Sequence, residues 1–262
     1  MTSASPRAGH AGSRDLVTDL RGRVALVTGA GIRIGSALAL GLADRGAAVA
    51  VHFNRSRQGA DAVIAAIQAT GGTARGFQAD LTQVGAPEAI IAEVVGAFDR
   101  LDVLVNSAAV MLRTPLGEVS PEQWDMMFAL NLRAPFLLSQ AAAPHLRRAT
   151  GGGAIINIAD LAAFETWPGY IPHGLTKSAV VHMTRGLARV LAPDIRVNAI
   201  APGTVLLPED FRPEDAEHLD RTTPLQRPGT PEDVVQAMLY LLDAPYVTGE
   251  TIVVDGGRNI RR

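Results

Sequence analysis

The first pointer to chemistry is a residue type used once. Among the 24 lysines and arginines of this 262-residue chain, Lys177 is the one lysine. An ammonium is a compact point donor on a flexible stem, whereas a guanidinium is a planar fork, so a chain that otherwise uses arginine and keeps one lysine marks that position for function. The second pointer is T-G-A-G-I-R-I-G, from Thr28 to Gly35, which contains Gly29, Arg33, Ile34 and Gly35. A glycine-rich turn that opens a helix brings backbone N–H groups against a pyrophosphate at the positive end of that helix. The third is H-F-N-R-S-R, residues 52–57. It has no Asp or Glu to hold a free ribose 2′-hydroxyl. Asn54, Arg55 and Ser56 supply donors instead, and Arg33 can point the same way. Two guanidiniums and a hydroxyl suit a 2′-phosphate, which favours NADP(H) over NAD; the alternative is a solvated basic loop.

These groups need a scaffold, and the hydrophobic pattern supplies one. Short apolar runs at 24–28, 48–53, 73–79, 102–106, 154–158, 195–200 and 251–255 alternate with segments of helical period at 34–45, 57–69, 87–98, 121–148, 170–192 and 231–243. Runs of that length with few polar residues indicate strands buried on both faces, as in a parallel sheet. Strand alternating with helix indicates crossover units with helices on both sides. The expected fold is therefore α/β: a doubly wound, parallel, seven-stranded sheet of the Rossmann type in a single domain, residues 21–262, after a flexible tail at 1–20. The glycine turn follows the first strand, at the edge of the sheet. Pro121 after Ser120 and Pro231 after Thr230 are helix-start signals. The proline-rich, polar stretch 206–228 is too long for a simple connection and reads as a lid.

Composition removes several classes of function. There is no cysteine, which excludes disulfide scaffolds, Cys-ligated metals and a thiol nucleophile. No apolar run approaches the ~20 residues of a membrane helix, and the first ten residues lack a secretory apolar stretch. A net charge of −2 and 5% aromatic residues give no nucleic-acid footprint. The expectation is a cytoplasmic protein with a small-molecule substrate and neither a nucleic-acid nor a membrane partner. His52, His145, His182 and His218 lack metal-ligand spacing with a carboxylate, so they read as ordinary residues and no metal is expected. Trp124 and Trp167 read as packing residues, although Trp167 and Phe164 lie where substrate would sit. The acidic run from Glu209 to Asp220 reads as a solvated face.

In order and at normal spacing, T-G-A-G-I-R-I-G (28–35), A-D-L-T (79–82), N-S-A-A (106–109), Asn131, Lys177, A-P-G-T (201–204), P-E-D-V (231–234) and the final Y-V-T-G-E and V-D-G-G resemble the short-chain dehydrogenase/reductase family from about Arg21 to Gly257. The resemblance implies that Asp80 and Leu81 border the adenine, that Asn106, Ser107 and Ala108 line the cofactor cleft, and that Pro202, Gly203 and Thr204 embrace the nicotinamide. It further implies that Asn131 holds a water for proton relay and that Lys177 binds the nicotinamide ribose. Within the family the chain is similar to the pteridine reductase and dihydromonapterin reductase branch in Arg33, in the string after the second strand, and in Asp160. It departs from that branch near Met111, where an aromatic residue would stack a pterin.

A larger departure lies four residues before Lys177, where the family places its proton-donating Tyr. His173 stands there. The nearest tyrosine is Tyr170, seven residues before the lysine, and two helical turns also return to the same face. Three readings follow: His173 donates the proton, Tyr170 donates it at the wider spacing, or the chain binds nucleotide without catalysis. A carboxylate within ~4–6 Å stabilises an imidazolium, and Asp160 occupies the family's donor-aligning position. The resemblance therefore implies an NADPH-dependent reductase of a C=O or C=N bond, with a pterin or dihydrofolate reductase and an inactive NADP(H)-binding protein as alternatives. It also implies a homo-oligomer, usually a tetramer formed by the helices at 121–148 and 170–192.

Overall fold

The computed structural model describes residues 19–205 and 223–260. Seven strands form one parallel sheet: β1 (Val24–Val27), β2 (Ala48–Phe53), β3 (Ala74–Gln78), β4 (Val103–Asn106), β5 (Gly153–Ile158), β6 (Ile195–Pro202) and β7 (Thr251–Val254). Their order is β3-β2-β1-β4-β5-β6-β7. The first strand therefore lies inside the sheet, not at its edge as the sequence suggested. From β1 the chain builds outward through β2 to β3, then returns to the other side of β1 for β4. That reversal makes the carboxyl ends of β1 and β4 a topological switch point, where open α/β sheets hold their ligands.

Successive strand residues face opposite sides, and each side has its own apolar layer. Ala25 and Val27 of β1 pack with Leu38, Leu42, Val63 and Met238 from helices α1 (Arg33–Asp44), α2 (Arg57–Ala69) and the last helix, Pro231–Asp243. Val24 and Leu26 pack on the other side with Ile90, Leu138 and Leu191, from α3 (Ala86–Phe98), α5 (Ala134–Leu146) and α6 (Ile171–Leu191). Each fully buried Leu or Ile stabilises such a layer by roughly 1.5–3 kcal/mol. The last helix is α7. Among the described residues, no helix is long and apolar enough to cross a membrane.

Three boundaries differ from the sequence expectation. Leu20, assigned to the tail, is fully buried, and its N–H donates to the Arg45 carbonyl at 2.8 Å. The long helix over 121–148 is α4 (Pro121–Phe128) and α5 joined by a π-helical turn, Ala129–Arg133, with Asn131 at its middle. Its start is capped as expected: Ser120 Oγ accepts the Gln123 N–H at 3.2 Å, and Gln123 Oε1 accepts the Ser120 N–H at 3.0 Å. Helix α6 begins at Ile171, one residue after Tyr170. Most of the expected lid (206–222), the acidic run and His218 lie outside the described residues, as do the first 18 positions of the tail.

Candidate active site

The nucleotide end is built from backbone held at close range. Gly29 has φ +65°, and a Cβ on it would lie 2.9 Å from Ala108 Cα, so only glycine fits between the turn and the segment after β4. Gly31 lies so close to Ser56 that a Cβ would reach 2.6 Å from its Oγ, which brings the basic stretch after β2 against the turn. Arg33 begins α1 with φ +55°, a left-handed conformation that costs a non-glycine residue energy. Ile34 and the buried Gly35 follow in that first turn of helix, whose N-terminus has no side-chain cap. Its N–H groups thus suit an anion. Asn54 and Arg55 are exposed at the end of β2, with Ser56 half-buried beside them.

Two residues that motif reading passed over hold this cradle. Thr28 Oγ1 accepts the N–H groups of Ser107 at 2.9 Å and Ala108 at 3.0 Å, tying β1 to the segment after β4. His52 Nδ1 accepts the Gly29 N–H at 3.1 Å, and its Nε2 lies 3.1 Å from the Ala79 carbonyl. One acceptor and one donor describe a neutral ring. Burial pushes the His52 imidazole down to about 4, with the Ala79 hydrogen bond acting the other way. Asp80 caps its own turn, accepting from Thr82 N at 3.0 Å and Thr82 Oγ1 at 2.7 Å. Those Thr82 bonds lead in holding its carboxyl below the ordinary value, and Arg55 adds charge in the same direction. The Leu81 side chain is buried in the second apolar layer, so of this pair only Asp80 presents a side chain toward solvent. Asn106 donates to Asn157 Oδ1 at 2.9 Å, and Asn157 donates to Thr184 Oγ1 at 2.9 Å, a buried polar chain from β4 through β5 to α6.

The catalytic end is built from buried polar side chains. His173 Nε2 lies 2.6 Å from Asp160 Oδ2, and its Nδ1 lies 3.3 Å from the Val110 carbonyl, so an acceptor faces each ring nitrogen. His173 is 2% exposed and the Asp160 side chain 22%, which makes the carboxylate the open member of the pair. Burial pushes the Asp160 carboxyl up, but the His173 hydrogen bond and the Lys177 charge outweigh it and leave the group below 3.8. Lys177, 4% exposed, donates from Nζ to the Ile158 carbonyl at 2.9 Å. Burial lowers its ammonium from 10.5, and the Asp160 charge opposes that. Asn131 Oδ1 accepts the Val110 N–H at 2.8 Å; its Nδ2 donates to the Val110 carbonyl at 2.9 Å and Thr176 Oγ1 at 3.1 Å, with His173 Nδ1 at 3.5 Å. The structure thus brings Asp160, His173, Asn131 and Lys177 into one connected cluster, with Val110 and Thr176 as members that sequence motifs did not mark.

Tyr170 stands differently. It ends a short 3-10 turn, Pro168–Tyr170, with φ −143° and ψ 31°, so it lies before the helical repeat that would have aligned it with Lys177. Its ring meets Trp167 edge-on at 6.3 Å. The hydrogen bonds that join the cluster do not include it. Pro202 and Gly203 leave β6 directly over the end of β7, where the Gly203 N–H donates to the Val254 carbonyl at 2.8 Å, and Thr204 follows.

The chain that folds this way is similar to known proteins over most of its length. The profile of the family described as enoyl-(acyl carrier protein) reductase matches residues 29–259. The 3-oxoacyl-[acyl-carrier-protein] reductase of Synechocystis is 37% identical over 247 residues, covering 92% of this chain and 98% of the relative. The chain belongs to the short-chain dehydrogenase/reductase family. Two solved structures have the same fold: an alternative dihydrofolate reductase 1, FolM, from Brucella canis complexed with NADP (TM-score 0.87, 33% identity, 93% of this chain and 96% of that one), and a blue fluorescent protein from a metagenomic library in complex with NADPH (TM-score 0.84, 34% identity, 92% and 99%). As a member of this family the chain is an oxidoreductase that uses a nicotinamide cofactor. The cradle fits one: glycine backbone at the switch point, an uncapped helix N-terminus and donors after β2 where an acid would exclude a phosphate.

Proposed function

We propose that this short-chain dehydrogenase/reductase is an NADPH-dependent reductase of a C=O or C=N bond in a small molecule. The observation that carries the reading is the 2.6 Å contact of His173 with Asp160 next to a buried Lys177. Bound NADPH supplies a hydride. Gly29, Arg33, Ile34 and Gly35 would hold its diphosphate, Asn54, Arg55 and Ser56 its 2′-phosphate, Asp80 the adenine side, and Ser107, Ala108, Lys177 and Pro202 to Thr204 the nicotinamide end. The proton comes from the His173–Asp160 pair: the imidazolium donates through Nε2 to Oδ2, and Asp160, the member open to the cleft, faces the substrate atom that accepts it. Asn131 pins the Val110 backbone behind the ring and so fixes the imidazole plane. Lys177 keeps Asp160 ionised between turnovers.

A second reading, a pterin or dihydrofolate as substrate, is supported by the likeness to FolM and by Asp160 and Arg33. The apolar face of Met126, Phe136, Met183, Leu187 and Val190 on α4, α5 and α6 supports assembly of these helices against a second copy and a tetramer overall; a solution mass of one chain would remove that part. The deciding experiment follows NADPH oxidation with ketones, imines and dihydrofolate, using the parent, His173→Phe and Tyr170→Phe. His173→Phe is expected to lose most activity and Tyr170→Phe to keep it. The reverse result would make Tyr170 the donor, and a parent that binds NADPH but oxidises it with no substrate would make the protein a binder.

A further inference from the structure

Segments from the carboxyl ends of three strands meet at one side chain. Arg258, in the 3-10 turn Arg258–Ile260 after β7, donates from Nη1 to Thr204 Oγ1 at 3.0 Å and from Nη2 to Glu165 Oε2 at 3.3 Å. The same Glu165 oxygen accepts the Trp167 indole N–H at 2.8 Å, and the guanidinium carbon lies 5.8 Å from the centre of the Trp167 ring. Glu165 and Trp167 belong to the wall that begins at Asp160, whose Oδ1 accepts the Ala162 N–H at 2.8 Å and so starts the turn Leu161–Ala163. Thr204 ends the segment that leaves β6. One guanidinium therefore ties the wall carrying Asp160 to the 202–204 loop.

Two features say what this link does. Arg258 Nε is buried with no hydrogen-bond partner. An unmet buried donor is unfavourable, so the side chain's place is dictated by the groups it bridges. The ion pair is also neutral as a unit and only 18% and 19% exposed, and Glu165 would repel an anion brought to Arg258. Spacing, rather than charge supply, is what the contact provides.

We propose that Arg258 is a positioning residue, a clasp that fixes the Asp160 wall against the 202–204 loop and so sets the distance across which the His173–Asp160 pair meets its substrate. The inference rests on the reductase reading above for its effect on rate, and on geometry alone for its effect on the wall.

The test uses Trp124→Phe as background, which leaves Trp167 as the single tryptophan. In the full chain without cofactor, Arg258→Met is expected to shift Trp167 emission to longer wavelength and increase its quenching by acrylamide. NADPH affinity, read by titration, is expected to change less than turnover, because the diphosphate and 2′-phosphate contacts lie elsewhere and Arg258 touches the nicotinamide end at Thr204 alone. Turnover is expected to fall about 10- to 100-fold through kcat more than KM, the size of loss that follows from a misplacement near 1 Å. Arg258→Lys is expected to fail in the same way, since one ammonium cannot reproduce the planar fork that spans two acceptors. Glu165→Gln, which keeps an oxygen for both donors, is expected to lose less. Unchanged Trp167 emission and quenching in Arg258→Met would overturn the clasp, as would a loosened wall with undiminished kcat. A background protein that turns over no substrate would refute the reductase reading instead, and the fluorescence would still decide the clasp; if Arg258→Met does not fold, Glu165→Gln carries the same two readouts.

Discussion

The nucleotide half and the catalytic half of this molecule hold their functional groups by different physics. At the nucleotide end, glycine backbone is pressed against the neighbouring backbone at Ala108, with Thr28 and a neutral His52 as ties. Size decides what is tolerated there, and no buried charge is involved. At the catalytic end, Asp160, His173, Asn131 and Lys177 are fixed by hydrogen bonds and by one another's charge, and each loses a partner when another is replaced. One half should therefore fail through altered packing and the other through altered protonation.

The largest effect that sharpens this contrast is expected at Lys177. Lys177→Met removes the charge that helps keep Asp160 ionised, and loss of acid–base function costs about 10²–10⁴ in rate. Stability should fall less than turnover: Asp160 loses an opposing charge, which is destabilising for a buried group, but the desolvation that opposes the ammonium is relieved at the same time and Asp160 stays partly open to solvent. Lys177→Arg should not rescue turnover. Measured kcat and the midpoint of thermal unfolding, side by side, check both halves of the statement; near-normal turnover in Lys177→Arg would remove the role assigned here.

How far the sequence revealed these two halves follows from the same physics. Seven strands and their helices were legible because buried parallel strands leave unbroken apolar runs, and the glycine cradle was legible because close approach restricts residue type. Lys177 was legible through its rarity. The π turn at Ala129–Arg133 was not, since its residues have ordinary helical types and the insertion becomes visible only where Asn131 meets Val110. Tyr170 matched a helical period that begins one residue after it. His52 looked like any core histidine, because its partners Gly29 and Ala79 are distant in sequence. The pairing of His173 with Asp160 was anticipated from position, while the greater exposure of Asp160 needed the fold.

The next effect tests the neutral tie of the nucleotide half. His52 titrates at about 4 in the folded chain against 6.5 ordinarily. Below 6.5 the unfolded chain takes up the proton first, so stability from this group is complete above 6.5 and is lost as pH falls toward 4. The loss should reach about 3 kcal/mol. Asp160, whose carboxyl is also held low, adds a loss of the same sign further into acid, as pH falls below 3.8. Urea unfolding of the parent and of His52→Gln between pH 7 and 4 separates the two, because the variant should be less stable at pH 7 yet nearly flat across that interval. Parallel pH profiles for the two proteins would break the comparison at its nucleotide side.

The smallest of these effects concerns the exposed rim of the same half. Arg55 lies at the end of β2 beside Ser56, and its charge reaches Asp80. A charge-assisted hydrogen bond to a phosphate contributes about 1.5–3 kcal/mol, so Arg55→Ala should weaken NADPH binding tens-fold. NADH has no 2′-phosphate for Arg55 to meet, and its affinity should be untouched. The variant should therefore approach equal dissociation constants for the two dinucleotides, and the difference should shrink further with salt because Arg55 is solvent-exposed. Turnover at saturating NADPH should remain at the parent value, since nothing in the Asp160–His173 cluster depends on this rim. Equal affinities for NADH and NADPH already in the parent would show that Arg55 and its neighbours form a solvated loop, and a fall in saturated turnover would show that the two halves are coupled rather than separately built.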